Sequence, residues 1–167
     1  EEADRIGAKR LFLIVSKTLD EETDQIDLIR QSLGARYAGS FSGIPSHTPR
    51  DAIIEAASAA RSANADLIVT YGGGSVTDAG KMVQLCLQHS ITSPDQLDAY
   101  RETIQADGTR VAPTYEGPKV RQIAVPTTLS AGEFGAGAGC VLEVGARCTP
   151  SREIRSADSG CVLADGG

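Results

Sequence analysis

Two rhythms of apolar residues alternate along this chain. The run Leu11-Phe12-Leu13-Ile14-Val15, bracketed by Lys9-Arg10 and Ser16-Lys17, has the length and branched composition of a buried strand. Residues 23–33 carry Ile26, Ile29 and Leu33 at helical spacing, and Gly34 supplies the stop. Residues 36–41 predict a second, short strand. Thr48-Pro49-Arg50-Asp51 then has the chemistry of a helix start: a hydroxyl N-cap, proline at the first helical position and an acid at the third. That helix is predicted to run to Ser62 with Ile53, Ala57 and Ala60 turned inward. Residues 66–71 predict a third strand and 76–89 a third helix. The polar stretch 93–119 reads as a connection with one short helix at 95–101, leading to a strand at 121–125. The opening residues 1–7 read as the end of a helix stopped by Gly7.

Strands alternating with helices at this spacing imply parallel βαβ units. The expected fold is α/β: a Rossmann-like open, mostly parallel sheet with helices on both faces, and ligands beyond the carboxyl ends of the strands. Sustained periodicity stops at residue 141. A domain over 1–140 is therefore expected, followed by a divergent, poorly ordered tail over 141–167.

The decapeptide Gly72-Gly73-Gly74-Ser75-Val76-Thr77-Asp78-Ala79-Gly80-Lys81 lies where the third strand turns into the third helix. Glycines at such a turn admit positive φ and leave no Cβ to keep a ligand away. The helix start offers unpaired N–H groups and a partial positive charge, which suits a phosphate. A nucleotide pyrophosphate is the expected guest; a tight turn that needs glycine only for its geometry is the plain alternative. Ser75 can bond a phosphate oxygen or cap the helix. Asp78, one turn in, faces the same mouth or complements the helix dipole. Lys81 can approach a ribose hydroxyl or pair with Asp78 three residues back.

The pattern GGGSxxDxxK resembles the nucleotide-binding signature of the iron-containing (group III) alcohol dehydrogenases. A second block, Ile123-Ala124-Val125-Pro126-Thr127-Thr128-Leu129-Ser130-Ala131-Gly132-Glu133-Phe134, resembles that family's strand and PTT segment. Its short spacing from the threonine pair to the glutamate is similar to the maleylacetate reductase branch. Ser46-His47-Thr48-Pro49 is similar to the HTP of the same branch. The resemblance runs from the first residue to Cys140.

It implies the dinucleotide-binding half of an NAD(P)-dependent oxidoreductase that reduces a carbonyl or oxidises an alcohol. Cofactor contacts are then expected at Gly72, Gly73, Gly74, Ser75, Asp78 and Lys81, at Thr127 and Thr128, and at Ser16 and Lys17. Many NAD-using relatives carry an Asp where this chain has Ser16-Lys17, so NADP is at least as well suited as NAD. The family's metal, iron or zinc, is ligated by one Asp and several His of a helical domain, and no position here matches them. The resemblance thus implies a chain truncated at its start, lacking that helical domain, with no metal site and no catalytic residue of its own. Such a chain is expected to be inactive alone and open to self-association. The alternative is a non-catalytic nucleotide-binding or interaction module, a degenerate dehydrogenase. The sugar-phosphate cyclases and glycerol-1-phosphate dehydrogenases share the glycine turn, but the Pro-Thr-Thr-Leu-Ser block argues against them.

Composition narrows the partners. At 167 residues the chain fits one domain, and its net charge of −6 argues against nucleic acid or an anionic membrane. No stretch approaches the roughly 18–20 apolar residues of a membrane span. The opening Glu1-Glu2-Ala3-Asp4-Arg5 lacks the basic and apolar regions of a signal peptide. Cys86 reads as a small core residue, while Cys140, Cys148 and Cys161 fall with the anomalous tail; none forms a CxxC pair. His47 and His89 have no companions at metal-ligand spacing. A reducing, cytoplasmic setting is the expectation.

Overall fold

The computed structural model describes residues 2–135 and 137–141, and the backbone of two short strands at 154–155 and 161–163. The first half of the chain forms α1 (Glu2–Ile6), β1 (Leu11–Val15), α2 (Lys17–Glu22), α3 (Gln25–Leu33), β2 (Tyr37–Ser42) and α4 (Arg50–Ser62). It continues with β3 (Leu67–Gly72), α5 (Gly74–Gln88), the two-residue strands β4 (Thr103–Ile104) and β5 (Arg110–Val111), and β6 (Arg121–Pro126). The last strands are β7 (Gly137–Ala138), β8 (Ile154–Arg155) and β9 (Cys161–Leu163). A 3-10 helix, Pro94–Tyr100, interrupts the polar connection near its predicted place.

Five strands form one parallel sheet in the order β2-β1-β3-β6-β9. The uniform apolar run of β1 follows from its place inside the sheet, because both of its faces are covered. Phe12 and Ile14 pack with Ile53, Ala57 and Ala60 of α4 and with Val83 and Cys86 of α5. Leu13 and Val15 point the other way, against Ile26 of α3. Leu11 joins Leu67, Ile123 and Ala8 in a third cluster, with Ile6 of α1 against it. The alternation of period two is therefore present, with apolar partners on each side.

α5 is buried nearly all round, and at Gly80 it lies tightly against the sheet. A Cβ there would stand 2.5 Å from Thr70 Cγ2 and 2.6 Å from Gln122 Nε2. Gln122 Nε2 donates to Thr70 Oγ1 at 2.9 Å and to the Thr77 carbonyl at 3.1 Å, so a buried polar bridge ties β3 and β6 to the helix.

Several expectations change on contact with the structure. α2 was not anticipated: it has no buried residue, so it leaves no apolar stripe to read. Thr48 is not the N-cap of α4. Pro49 holds that place with φ −59 and ψ 142, and Thr48 is left-handed at φ +53. α5 begins at Gly74 rather than Val76, with Gly73 as its N-cap. Within 141–167, expected to be poorly ordered, the described residues form an isolated bridge at Val141 and strands β8 and β9, the latter parallel to β6. The rest of that expectation lies outside the described residues.

Cys140 belongs to the core beside Cys86, rather than to an anomalous tail. Burial pushes the Cys86 thiol up to about 12 and raises that of Cys140 as well. Thiolate is the reactive form, so both should resist iodoacetamide at pH 8 in the folded chain and react fully in denaturant. Peptide mass mapping before and after unfolding checks this. Fast native labelling at Cys86 would contradict it.

Candidate functional site

The order β2-β1-β3-β6-β9 reverses its direction of travel between β1 and β3, and in open parallel sheets ligands bind outside the carboxyl ends of the strands at such a point. Those ends carry Ser16 after β1 and the glycine turn after β3. The Ser16 N–H donates to the Tyr71 carbonyl at 3.0 Å, which joins the two strand ends. Lys17, the first residue of α2, is exposed and lies 3.8 Å from Glu21.

The glycines are needed for room, not for left-handed backbone. None of Gly72, Gly73 and Gly74 has positive φ, and Gly73 is extended at φ −80 and ψ −170. A Cβ on Gly72 would meet the Val76 side chain at 2.8 Å; one on Gly73 would meet Thr128 Cγ2 at 3.1 Å; one on Gly74 would meet Ser130 Oγ at 2.9 Å. The turn and the 127–130 loop thus pack closely against each other, leaving no room for a side chain on these glycines.

The first turn of α5 supplies donors at the glycine turn. The Gly73 carbonyl accepts from the N–H groups of Val76 and Thr77 at 3.0 and 3.1 Å. Among the described residues no acceptor meets the N–H groups of Gly74 and Ser75. They are the unsatisfied donors of a helix start, in a region of positive dipole potential. Ser75 lies inside the helix and does not cap it. Its Oγ accepts from the His47 N–H at 3.3 Å, and its carbonyl accepts from Thr48 Oγ1 at 3.2 Å. The His47-Thr48 pair therefore braces the turn from one side while being left-handed itself, at φ +65 and +53.

On the other side, the Thr127 N–H donates to the Gly72 carbonyl at 2.9 Å and starts the loop directly above the turn. Thr127 and Thr128 are exposed there, as predicted from the strand and proline before them. Ser130, which sequence reasoning did not single out, completes the facing wall over Gly74. The available signal was its place two residues after the threonine pair.

Asp78 and Lys81 are brought together with the loop in an unforeseen way. Lys81 is 1% exposed, and its Nζ donates to Asp78 Oδ1 at 3.2 Å and to the carbonyls of Gly132 and Gly137 at 2.6 and 2.7 Å. Those three bonds use all the donors an ammonium has. Asp78 Oδ2 also accepts from the Gly139 N–H at 3.0 Å. Lys81 thus holds protein carbonyls and has no donor left for a ribose hydroxyl.

His89 stacks beside the rings of Tyr100 and Tyr115, while His47 is in the brace of the glycine turn. Among the described residues no group of three or more His, Cys, Asp or Glu is placed to hold a metal ion. No described helix is long and apolar enough to cross a membrane.

Comparison with known proteins gives this geometry its context. The family model for iron-containing alcohol dehydrogenase matches residues 1–146, six residues beyond the reach of the sequence resemblance. Dehydrogenase FUM7 of Gibberella moniliformis is 32% identical over 139 residues, which is 82% of this chain and 32% of that protein. Maleylacetate reductase 1 of Rhodococcus opacus is 35% identical over 81 residues, covering 48% of this chain and 22% of that protein. Among solved structures, maleylacetate reductase from Rhizobium sp. strain MTP-10005 superposes with a TM-score of 0.67 at 24% identity, over 97% of this chain and 36% of that one. Sulfoacetaldehyde reductase from Bifidobacterium kashiwanohense, solved in complex with NAD+, gives a TM-score of 0.73 at 17% identity, over 97% and 40%. The chain therefore spans only about a third of the length of the FUM7 dehydrogenase. With a parallel sheet whose glycine turn opens at the carboxyl ends of its strands, and with a family match over most of its length, this chain belongs to the iron-containing alcohol dehydrogenases, as a nucleotide-binding N-terminal region with maleylacetate reductases among its relatives.

Proposed function

We propose that these 167 residues bind a nicotinamide dinucleotide as part of an NAD(P)-dependent oxidoreductase that reduces a carbonyl or oxidises an alcohol. The observation that carries this reading is the pair of unpaired N–H groups at Gly74 and Ser75, at a helix start whose glycines carry no side chain. That helix start suits a diphosphate, which would take the two N–H groups and the Thr127 and Thr128 hydroxyls as donors. Asp78 stands one turn further along the helix. Ser16 and Lys17 would flank the adenosine ribose, and a lysine there with no carboxylate at the strand end favours NADP at least as much as NAD. When bound, the nucleotide supplies or accepts the hydride. The residues of this chain bind and orient it.

By themselves the 167 residues are proposed to bind without turnover, since hydride transfer also needs a polarised carbonyl and a proton donor held beside the nicotinamide. The second reading is a non-catalytic interaction module. It draws on Leu129, wholly exposed, and Phe134, 73% exposed. Calorimetric titration with NADPH and with NADH tests the first reading. One site with a dissociation constant on the order of micromolar is expected for at least one of them, with no aldehyde-dependent loss of nicotinamide absorbance. Flat titrations with both nucleotides would remove the nucleotide reading and leave the interaction module.

A further inference from the structure

We propose that Lys81 is a positioning residue of the wall that packs on the glycine turn, acting through the main-chain carbonyls of Gly132 and Gly137 and not through a nucleotide. The effect on affinity rests on the nucleotide reading above; the effect on the wall does not. The segment after Ser130 runs Ala-Gly-Glu-Phe-Gly-Ala-Gly-Ala-Gly, with glycine at 132, 135, 137 and 139. Glycine-rich backbone has the most conformational freedom to lose and no side chains with which to pack itself. Phe134, its largest side chain, is mostly exposed. Ala138 is buried in the main core and Gly137–Ala138 pairs with Ile154–Arg155; the polar ties of the segment come from α5, with Lys81 Nζ donating to two carbonyls and Asp78 Oδ2 accepting from the Gly139 N–H.

A lysine as buried as this is costly to keep, because desolvating an ammonium is offset only by good partners on every donor. A methionine would fill the same space without that cost. The ammonium makes sense where two carbonyls of one loop must be held against a helix. That loop continues directly from Thr128 and Ser130, whose side chains face Gly73 and Gly74. Lys81 thereby sets the distance between the glycine turn and the wall opposite it, one helical turn away from any ligand.

Hydrogen exchange on the 167-residue chain without nucleotide reads this directly. In Lys81→Met the amides of Gly132, Glu133, Gly137 and Gly139 should exchange about tenfold faster, with β1 and β2 changed less than about twofold. The dissociation constant for NADPH should rise about tenfold. Ile53→Val, a core change that loosens the fold without touching the loop, should leave that constant unaltered. If Lys81→Met does not fold, Lys81→Arg, which keeps the charge but not the shape, should give about threefold faster exchange at the same four amides. Unchanged exchange at those amides in a folded variant, or a uniform rise across β1 and α4, would overturn the proposal. Faster local exchange in a chain whose wild type binds no nucleotide would uphold the positioning role and remove the nucleotide reading instead.

Discussion

Gly80→Ala should destabilise the chain by about 3 kcal/mol and lower its melting temperature by roughly 6–12 °C, although alanine is the better helix former. The added methyl would stand 2.5 Å from Thr70 Cγ2 and 2.6 Å from Gln122 Nε2, both on buried strands. Neither neighbour is the loose end of an exposed side chain. Moving Gln122 breaks its bonds to Thr70 Oγ1 and the Thr77 carbonyl, and a buried amide left unpaired costs about 1–3 kcal/mol. Moving α5 outward opens the contact of Val83 and Cys86 with β1 instead. The gain of about 1 kcal/mol in helix propensity is smaller than either cost. Thermal melts by circular dichroism measure the effect, and Thr70→Ser, which removes the clashing methyl but keeps the hydroxyl, should restore part of the loss. A melt at or above the wild-type temperature for Gly80→Ala alone would show that helix and sheet are not so closely apposed.

Gly73→Val should do the opposite: little to stability, much to binding. Its backbone is in the extended region, which valine adopts without strain. The atoms its Cβ would meet belong to Thr128, an exposed side chain that can swing away. Loss of a good N-cap residue costs about 1 kcal/mol. The valine side chain, however, fills the space in front of the N–H groups of Gly74 and Ser75. Denying a charged diphosphate its backbone donors should cost about 2–3 kcal/mol, or roughly 50-fold in the dissociation constant for NADPH. Calorimetry beside a melt separates the two effects. Undiminished affinity in a folded Gly73→Val chain would place the diphosphate somewhere other than the glycine turn.

The elements legible in the sequence were those whose burial is one-dimensional. β1 is buried on both faces, so every position is apolar, and α4 shows its stripe of Ile53, Ala57 and Ala60. α2 escaped notice because Lys-Thr-Leu-Asp-Glu-Glu has one apolar residue beyond its Thr, Leu19, only partly buried, and so no stripe. The start of α4 was misplaced because Thr48-Pro49 carries the right residue types for a cap, while the hydroxyl is spent on Ser75 across the fold. At the glycine turn the position was legible and the reason was not. Positive φ is a local property that a tripeptide can advertise; close approach by Thr128 and Ser130, more than fifty residues later, is not. The role of Lys81 was hidden for the same cause. Its pairing with Asp78 is written in the spacing, but its two carbonyl partners lie on a segment that only the fold brings near.

The parallel register also sets the order in which the glycine turn meets the loop opposite it. β1 lies between β2 and β3, and β3 pairs with β6 from Leu67↔Arg121 to Gly72↔Pro126. Parallel neighbours cannot be joined by a tight hairpin, so each pairing must wait for a long loop to close. During synthesis the glycine turn leaves the ribosome some fifty residues ahead of the threonines that oppose it. Until the 121–126 segment arrives, β3 up to Gly72 is an unpaired sheet edge, its backbone groups open to water and to other chains. The strand that leads into the glycine turn is thus unprotected for as long as translation of that connection takes.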